Sequence, residues 1–270
     1  MPTPVPLEVH RLNLTIRFIQ GYRYLDRCGE TLIRLERALS EGWIPVESTP
    51  ANGSIKNDQL GMTASFNSGS LAVQQSEFIS FEHFRDQACT IYDILWPVLE
   101  VEKIIAPAAR VIFQRGFEED KLAEAEKYLR SLNLCTPADR LVSFLGGQQS
   151  GLSLTLVTER EDKWDGVPVC RRRRLEASVI RQERSPSFDS RLLQRAKLLS
   201  KGQREAMQAL LKMREKHSRL APIAAQFELE EILEEEFPAK GFDLPGFLQG
   251  SWEWANRFAA EVPGRKNGNG

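Results

Sequence analysis

Apolar and polar residues alternate in several segments of the chain, which predicts strands with one buried and one exposed side. In residues 9–18, Leu12, Leu14 and Ile16 fall on one side of such a strand, and Asn13 and Thr15 fall on the other. The same reasoning, with turn residues between the segments, predicts further strands at 43–46, a hairpin over 62–75, a strand at 109–113, and a long hairpin over 151–183 that turns at Asp165-Gly166.

In other segments apolar residues recur every three or four positions, which is typical of amphipathic helices. The segment 80–97 is an example, with Phe81, Phe84, Ala88, Ile91 and Leu95 on its predicted apolar side. Further helices are predicted over 24–39, 118–134, a short stretch from Thr136, 190–219, 223–237 and 244–260. Segment 190–219 has an apolar seam at heptad spacing, and segment 223–237 is strongly acidic.

Together these elements predict an α+β protein with two lobes. We expect residues 1–135 to form a mostly antiparallel sheet with packed helices. Residues 136–262 are expected to form a second lobe that consists of the long hairpin and a helical hairpin, and residues 263–270 are expected to be a disordered tail. The polar, turn-rich segment 48–58 is expected to be an exposed loop.

Charge is segregated along the chain although the net charge is only −1. From Arg160 to Arg219 there are 17 basic and 8 acidic residues, a local charge of +9, so the rest carries −10. Eight arginines in this region are candidate binding residues: Arg171, Arg172, Arg173, Arg174, Arg181, Arg184, Arg191 and Arg195. Because consecutive side chains of a strand point to opposite faces, Arg171 and Arg173 should lie on one face, and Arg172 and Arg174 on the other.

Three interpretations of this charge remain open. The first is internal pairing, in which the basic helix over 190–219 lies beside the acidic helix over 223–237 in an antiparallel hairpin. The second is a stripe of arginines that follows a nucleic-acid backbone. The third is docking of an acidic protein surface on the arginine side chains.

No motif for catalysis, metal binding or cofactor binding is present. The three histidines (His10, His83 and His217) are isolated, and the four cysteines form no C-x-x-C pair. Phosphate-binding and dinucleotide-binding glycine motifs are also missing. We therefore expect a protein that is not an enzyme and that has neither metal nor cofactor. No segment is apolar enough for a membrane span and no signal peptide is evident, so we expect a cytoplasmic protein.

The segments VHRLNLTIRF, FISFEHF and ARVIFQRG resemble, in order and spacing, a sporadically distributed bacterial family of unknown function. The resemblance covers about the first 130 residues and implies a bacterial accessory protein, but it implies no activity. Our expectation is thus an interaction or regulatory protein that binds a protein partner through its second lobe. The alternative is a nucleic-acid-binding protein that uses Arg171–Arg174 and the basic segment Arg191–Arg219.

Overall fold

The computed structural model describes residues 7–19, 23–39, 42–118, 120–132, 153–181 and 223–261. These residues form ten strands and four helices. In chain order they are β1 (Glu8–Ile19), α1 (Tyr24–Ala38), β2 (Trp43–Ser48), β3 (Gly53–Asn57), β4 (Met62–Phe66), β5 (Ser70–Gln75), α2 (Phe81–Val98), β6 (Lys103–Phe117), α3 (Leu122–Ser131), β7 (Ser153–Trp164), β8 (Val167–Arg181), β9 (Ile223–Glu234), β10 (Glu236–Pro238) and α4 (Leu244–Glu261).

The strands form one sheet in the order β2-β3-β4-β5-β1-β6-β9-β8-β7, and β10 pairs with β6. The sheet is mostly antiparallel and four helices accompany it, which confirms the predicted α+β class. Among the strands that the structure describes, β2 and β7 are therefore the two at the ends of the sheet. The described residues contain no helix that combines the length and the hydropathy needed to cross a membrane.

The apolar residues of the strands and helices form a buried core. Leu12, Leu14 and Ile16 of β1 are buried, and the polar residues between them are at least partly accessible. The predicted apolar side of α2 is confirmed, because all five of its predicted residues are buried. In α1, Leu32 and Leu35 are buried, but Leu25 is 68% exposed.

Two local predictions are wrong. Segment 223–237 was expected to be an acidic helix, but residues 223–234 form β9 and Glu236–Pro238 form β10. Segment 48–58 was expected to be an exposed loop, but Gly53–Asn57 form β3, which is largely buried. The predicted helical hairpin of residues 190–237 therefore does not form, since its second member is a strand.

Other predictions are confirmed or lie outside the described residues. The 62–75 hairpin is present as β4 and β5, and the long hairpin as β7 and β8. Asp165 and Gly166 both have positive φ (47° and 79°), as a two-residue hairpin turn requires. The short helix after Thr136, the basic helix over 190–219 and the tail 263–270 lie outside the described residues.

By internal packing the chain divides into two compact units, and the predicted lobe boundary near residue 135 stays a prediction. The first unit contains Met1–Gln114, Ser153–Ala177 and Gln226–Gly270. The second contains Arg115–Leu152 and Ser178–Ala225. Within the described part of the second unit, Ala125 and Leu129 of α3 are buried. The Arg115 guanidinium there lies 4.2 Å from the centre of the Tyr128 ring.

Candidate functional site

The candidate site is built around the arginine strand β8, which lies between β9 and β7 in the sheet. The part of β8 that carries Arg171 to Arg174 belongs to the first compact unit. Its four consecutive arginines alternate between the two faces of the sheet, as predicted. The side chains of Arg171 and Arg173 are 11% and 27% exposed, whereas those of Arg172 and Arg174 are 41% and 42% exposed. The strand thus presents one largely buried and one half-exposed pair of guanidinium groups.

The buried pair converges on the carboxylate of Glu231 in β9, which is completely buried. Arg171 donates from Nη1 to Glu231 Oε1 at 3.0 Å, and Arg173 donates from Nε to the same oxygen at 2.8 Å. Ser251 of α4 donates its hydroxyl to Glu231 Oε2 at 2.6 Å. Arg171 also donates from Nε to Asp162 of β7 at 2.8 Å. We call these five residues the inner cluster.

Two tryptophans line the inner cluster. The guanidinium of Arg171 lies 5.8 Å from the centre of the Trp164 ring, and that of Arg173 lies 4.7 Å from the centre of the Trp254 ring. Both distances are within the range of a cation–π interaction. The cluster therefore connects β7, β8, β9 and α4 through charges that have both hydrogen-bond and aromatic partners.

The electrostatics of the inner cluster keep its carboxylates ionised. Burial by itself would raise the pKa of Glu231, but hydrogen bonds from Ser251, Arg171 and Arg173 and the positive charge of Arg171 outweigh burial and hold this pKa below its ordinary value. Hydrogen bonds from Arg160 and from the Lys163 backbone lower the pKa of Asp162 to about 2. At neutral pH the cluster thus contains two arginine cations and two carboxylate anions.

The half-exposed arginines are also paired with carboxylates. Arg172 forms ion pairs with Glu234 and, at 3.9 Å, with Glu159, and Arg174 forms one with Glu176. The neighbouring strand β6 repeats this arrangement: Arg110 pairs with Glu230 at 2.7 Å and with Glu228 at 3.3 Å. The acidic segment 223–237 therefore neutralises arginines, but it does so as a strand that lies between β8 and β6.

The structure describes no contact between the inner cluster and the other four predicted arginines. Arg181 is exposed at the end of β8. Arg184, Arg191 and Arg195 lie outside the described residues. Of the eight predicted arginines, the described residues thus bring Arg171 to Arg174 together with acidic partners.

The described residues contain no group of three or more histidine, cysteine, aspartate and glutamate side chains that is arranged to hold a metal ion. Two glutamates near the ends of helices, Glu100 and Glu118, lie beside basic side chains. Glu100 pairs with Arg23 at 3.1 Å and with Arg27 at 3.0 Å, and Glu118 lies 3.9 Å from Lys121. The backbone N–H of His83 donates to Ser80, the N-cap of α2. These contacts are formed at the ends of helices and in turns.

The exposure of the end strand β7 was not predicted from the sequence. Nine of its twelve residues are exposed, including Leu156 (44%) and Val157 (47%), which project on opposite faces because they are consecutive in a strand. The opposite end strand, β2, also exposes Val46 (55%), but it contains Pro45 and a register shift beside it. The only feature of the sequence that could have indicated this exposed strand was the uncharged stretch SLTLV at the start of β7.

In comparisons with known proteins, no family model, no characterised protein and no solved structure matches this chain.

Proposed function

We propose that this protein is a non-enzymatic cytoplasmic accessory protein that binds a protein partner, and that the outer edge of β7 is where the partner binds. The observation that carries the proposal is the exposure of this end strand. A strand at the edge of a sheet presents unpaired backbone N–H and C=O groups, and proteins usually shorten, bend or block such edges. β7 is twelve residues long and has exposed apolar residues on both faces.

The contrast between the two ends of the sheet supports this choice. In β2, Pro45 removes one backbone donor, and the register shift after it bends the strand, so that edge is protected against a further strand. β7 contains no proline. A partner that adds an extended segment to β7 would gain backbone hydrogen bonds, and apolar contacts with Leu156 and Val157 would select its side chains.

The inner cluster supports the proposal in a second way, because its ion pairs fix the second half of β7 to β8. Asp162 of β7 is bonded to Arg171, which is in turn bonded to the buried Glu231. A pre-ordered edge loses less conformational entropy when it binds a partner than a flexible one does. In this proposal the arginines of β8 therefore hold the binding strand in place and do not contact the partner.

The test is affinity capture from a lysate of the native host, followed by size-exclusion chromatography at low and high salt. We expect the wild-type chain to retain a stoichiometric protein at high salt, and Val157→Lys and Leu156→Lys to lose it. Val46→Lys is the matched control, since it places the same charge at a similarly exposed position on the other end strand. If both β7 variants retain the same partner as the wild type, the proposed surface is wrong.

The nucleic-acid alternative rests on Arg181, Arg184, Arg191, Arg195 and the basic segment 191–219. The alternative was also based on the positive charge of Arg171 to Arg174, but their carboxylate partners offset that charge. Its test is binding to labelled DNA and RNA at about 50 mM salt, where phosphate contacts are strong. Binding that weakens steeply with salt and survives Arg172→Glu with Arg174→Glu would favour the alternative and place the contact on the other arginines.

A further inference from the structure

The outer side of α1 has an unusual order of residues. Asp26, Glu30, Ile33 and Arg37 are spaced by four, three and four positions, so they form one stripe along the helix. All four residues are exposed. Ile33 is 49% exposed and Leu25, beside the start of the stripe, is 68% exposed. Two large apolar side chains thus lie on a helix side that no described element covers.

The charges along this stripe are ordered by sign. Asp26 and Glu30 lie in the first half of the exposed side, and Arg34 and Arg37 lie in the second half. Two further exposed charges, Arg23 and Glu36, flank the stripe and have the opposite sign to the half in which they lie. Glu30 and Arg34 form an ion pair within the helix at 2.6 Å, and Asp26 lies 4.0 Å from Arg23. The structure records no ion pair for Arg37 within the described part of the chain.

Such a stripe is complementary in charge to an identical stripe that runs antiparallel to it. If two copies of α1 pack antiparallel about a two-fold axis, Asp26 of each copy faces Arg37 of the other. Glu30 of each copy then lies beside Arg34 and Ile33 of the other. A two-fold contact brings the same patch of both copies together, so every favourable pair occurs twice. We propose that the protein forms a homodimer through the exposed side of α1.

The opposite charges of Asp26 and Arg37 at the two ends of the stripe favour a second copy over an unrelated partner, because one patch supplies both members of the pair. The intrahelical pair does not prevent the contact, since an arginine has five N–H donors and Arg34 can bind Glu30 of both copies. The apolar part of the contact comes from Ile33 and Leu25. A helix of 15 residues is about 22 Å long, so the contact is at the small end of specific interfaces and we expect micromolar affinity.

The experiment uses sedimentation and light scattering of the full chain over a range of concentrations. We expect the wild type to move from the mass of one chain, 30.7 kDa, to twice that mass as concentration rises. Asp26→Arg with Glu30→Arg should weaken the dimer at least about tenfold, because like charges then face one another. Arg34→Glu with Arg37→Glu should do the same.

The decisive step is to mix the two inverted variants. In an antiparallel pair the copy with basic side chains at positions 26, 30, 34 and 37 faces the copy with acidic ones, so the two variants together should form a heterodimer that is tighter than the homodimer of either. Inversion of all four residues together should restore the homodimer. A simple loss of folding would not be repaired by mixing, and circular dichroism of each variant checks the helix content.

The control is the inversion of an exposed pair on another helix, Glu253→Arg with Arg257→Glu in α4, which should leave the dimer intact. Val157→Lys in β7 should also leave it intact, so the dimer and the proposed partner site are tested separately. A wild-type chain that stays monomeric at all concentrations overturns the proposal. Inverted variants that dimerise like the wild type, or a mixture that stays monomeric, overturn it as well.

Discussion

At the scale of single residues, Glu231 is the most consequential side chain in the described structure. Its carboxylate is fully buried, which is costly unless the charge is paired and all its hydrogen bonds are formed. Arg171, Arg173 and Ser251 supply those bonds. Glu228 of the same strand offers a direct contrast, because it lies on the opposite face, is 25% exposed, and shares Arg110 with Glu230.

We predict that Glu231→Gln lowers the free energy of unfolding by about 3 kcal/mol, because it leaves two buried arginines without their shared anion. Glu228→Gln, the same change on the other face, should cost less than about 1 kcal/mol, because the pair is partly exposed and Arg110 retains Glu230. Urea unfolding followed by tryptophan fluorescence measures both. Equal effects of the two substitutions would contradict the role assigned to the inner cluster.

The pH dependence of the wild type and Glu231→Gln gives a second prediction. The folded-state pKa of Glu231 lies below its ordinary value of 4.5, so acidification protonates the unfolded chain first. The stability that the charged carboxylate contributes is complete above about pH 4.5 and is lost as pH falls toward the folded-state pKa. The difference in unfolding free energy between wild type and Glu231→Gln should therefore be constant near neutral pH and shrink below pH 4.5. A difference that grows on acidification would contradict an ionised Glu231.

At the scale of secondary-structure elements, α4 depends on how it begins. Asp243 precedes the helix, and its Oδ1 accepts a hydrogen bond from the Gly246 backbone N–H at 2.9 Å, as an N-cap residue does. A Cβ on Gly246 would lie 2.1 Å from the other oxygen of that carboxylate. Gly250, one turn later, has no atom within 4 Å of the position of a Cβ. The two glycines of one helix thus have different surroundings.

We predict opposite tendencies for alanine at these two positions. Gly250→Ala should raise the free energy of unfolding by up to about 1 kcal/mol, since alanine is the better helix former. Gly246→Ala should show no such gain, because the new methyl group displaces the Asp243 cap, which is worth about 1 kcal/mol. Chemical unfolding of both variants measures the difference. A similar gain in both would show that the Asp243 cap does not contribute to stability.

At the scale of the whole molecule, distant parts of the chain complete the same core. The Tyr92 hydroxyl of α2 donates to the carbonyl oxygen of Ala239 at 2.7 Å, across 147 positions of sequence. The Phe81 ring of α2 stacks on Trp252 of α4 with ring centres 4.9 Å apart. The first compact unit accordingly contains Met1–Gln114 together with two later segments. This arrangement bears directly on whether residues 1–135 are a separate lobe.

We predict that a fragment of residues 1–135 does not unfold cooperatively, because α2 loses its contacts with α4 and Ala239, and β6 loses its neighbour β9. Thermal and urea unfolding followed by circular dichroism measures this. As a control, co-expression with residues 136–270 should recover the cooperative transition if the two pieces associate. A fragment that unfolds in a single sharp transition would instead support the lobe boundary near residue 135.

Local patterns in the sequence were enough to predict much of the fold. The alternation in β1, the buried face of α2 and the Asp165-Gly166 turn all depend on the spacing of neighbouring residues, which a folded chain preserves. The same alternation correctly assigned Arg171 and Arg173 to one face of β8 and Arg172 and Arg174 to the other. These features hold because backbone geometry determines them within a few residues.

Tertiary structure decided the rest. Segment 223–237 is rich in glutamate, a good helix former, yet residues 223–234 form a strand whose buried row contains Phe227, Leu229 and Leu233 at alternate positions. Glu231 lies in the same buried row, and its arginine partners are about 60 positions earlier in the chain. Gly53 belongs to a buried strand, where a Cβ would lie 2.8 Å from Cys28 Sγ and from the Phe66 ring. By itself the sequence therefore determined most of the local elements and the faces of the arginines. Which charges meet, and which strand remains exposed at the edge, depended on contacts between residues far apart in the chain.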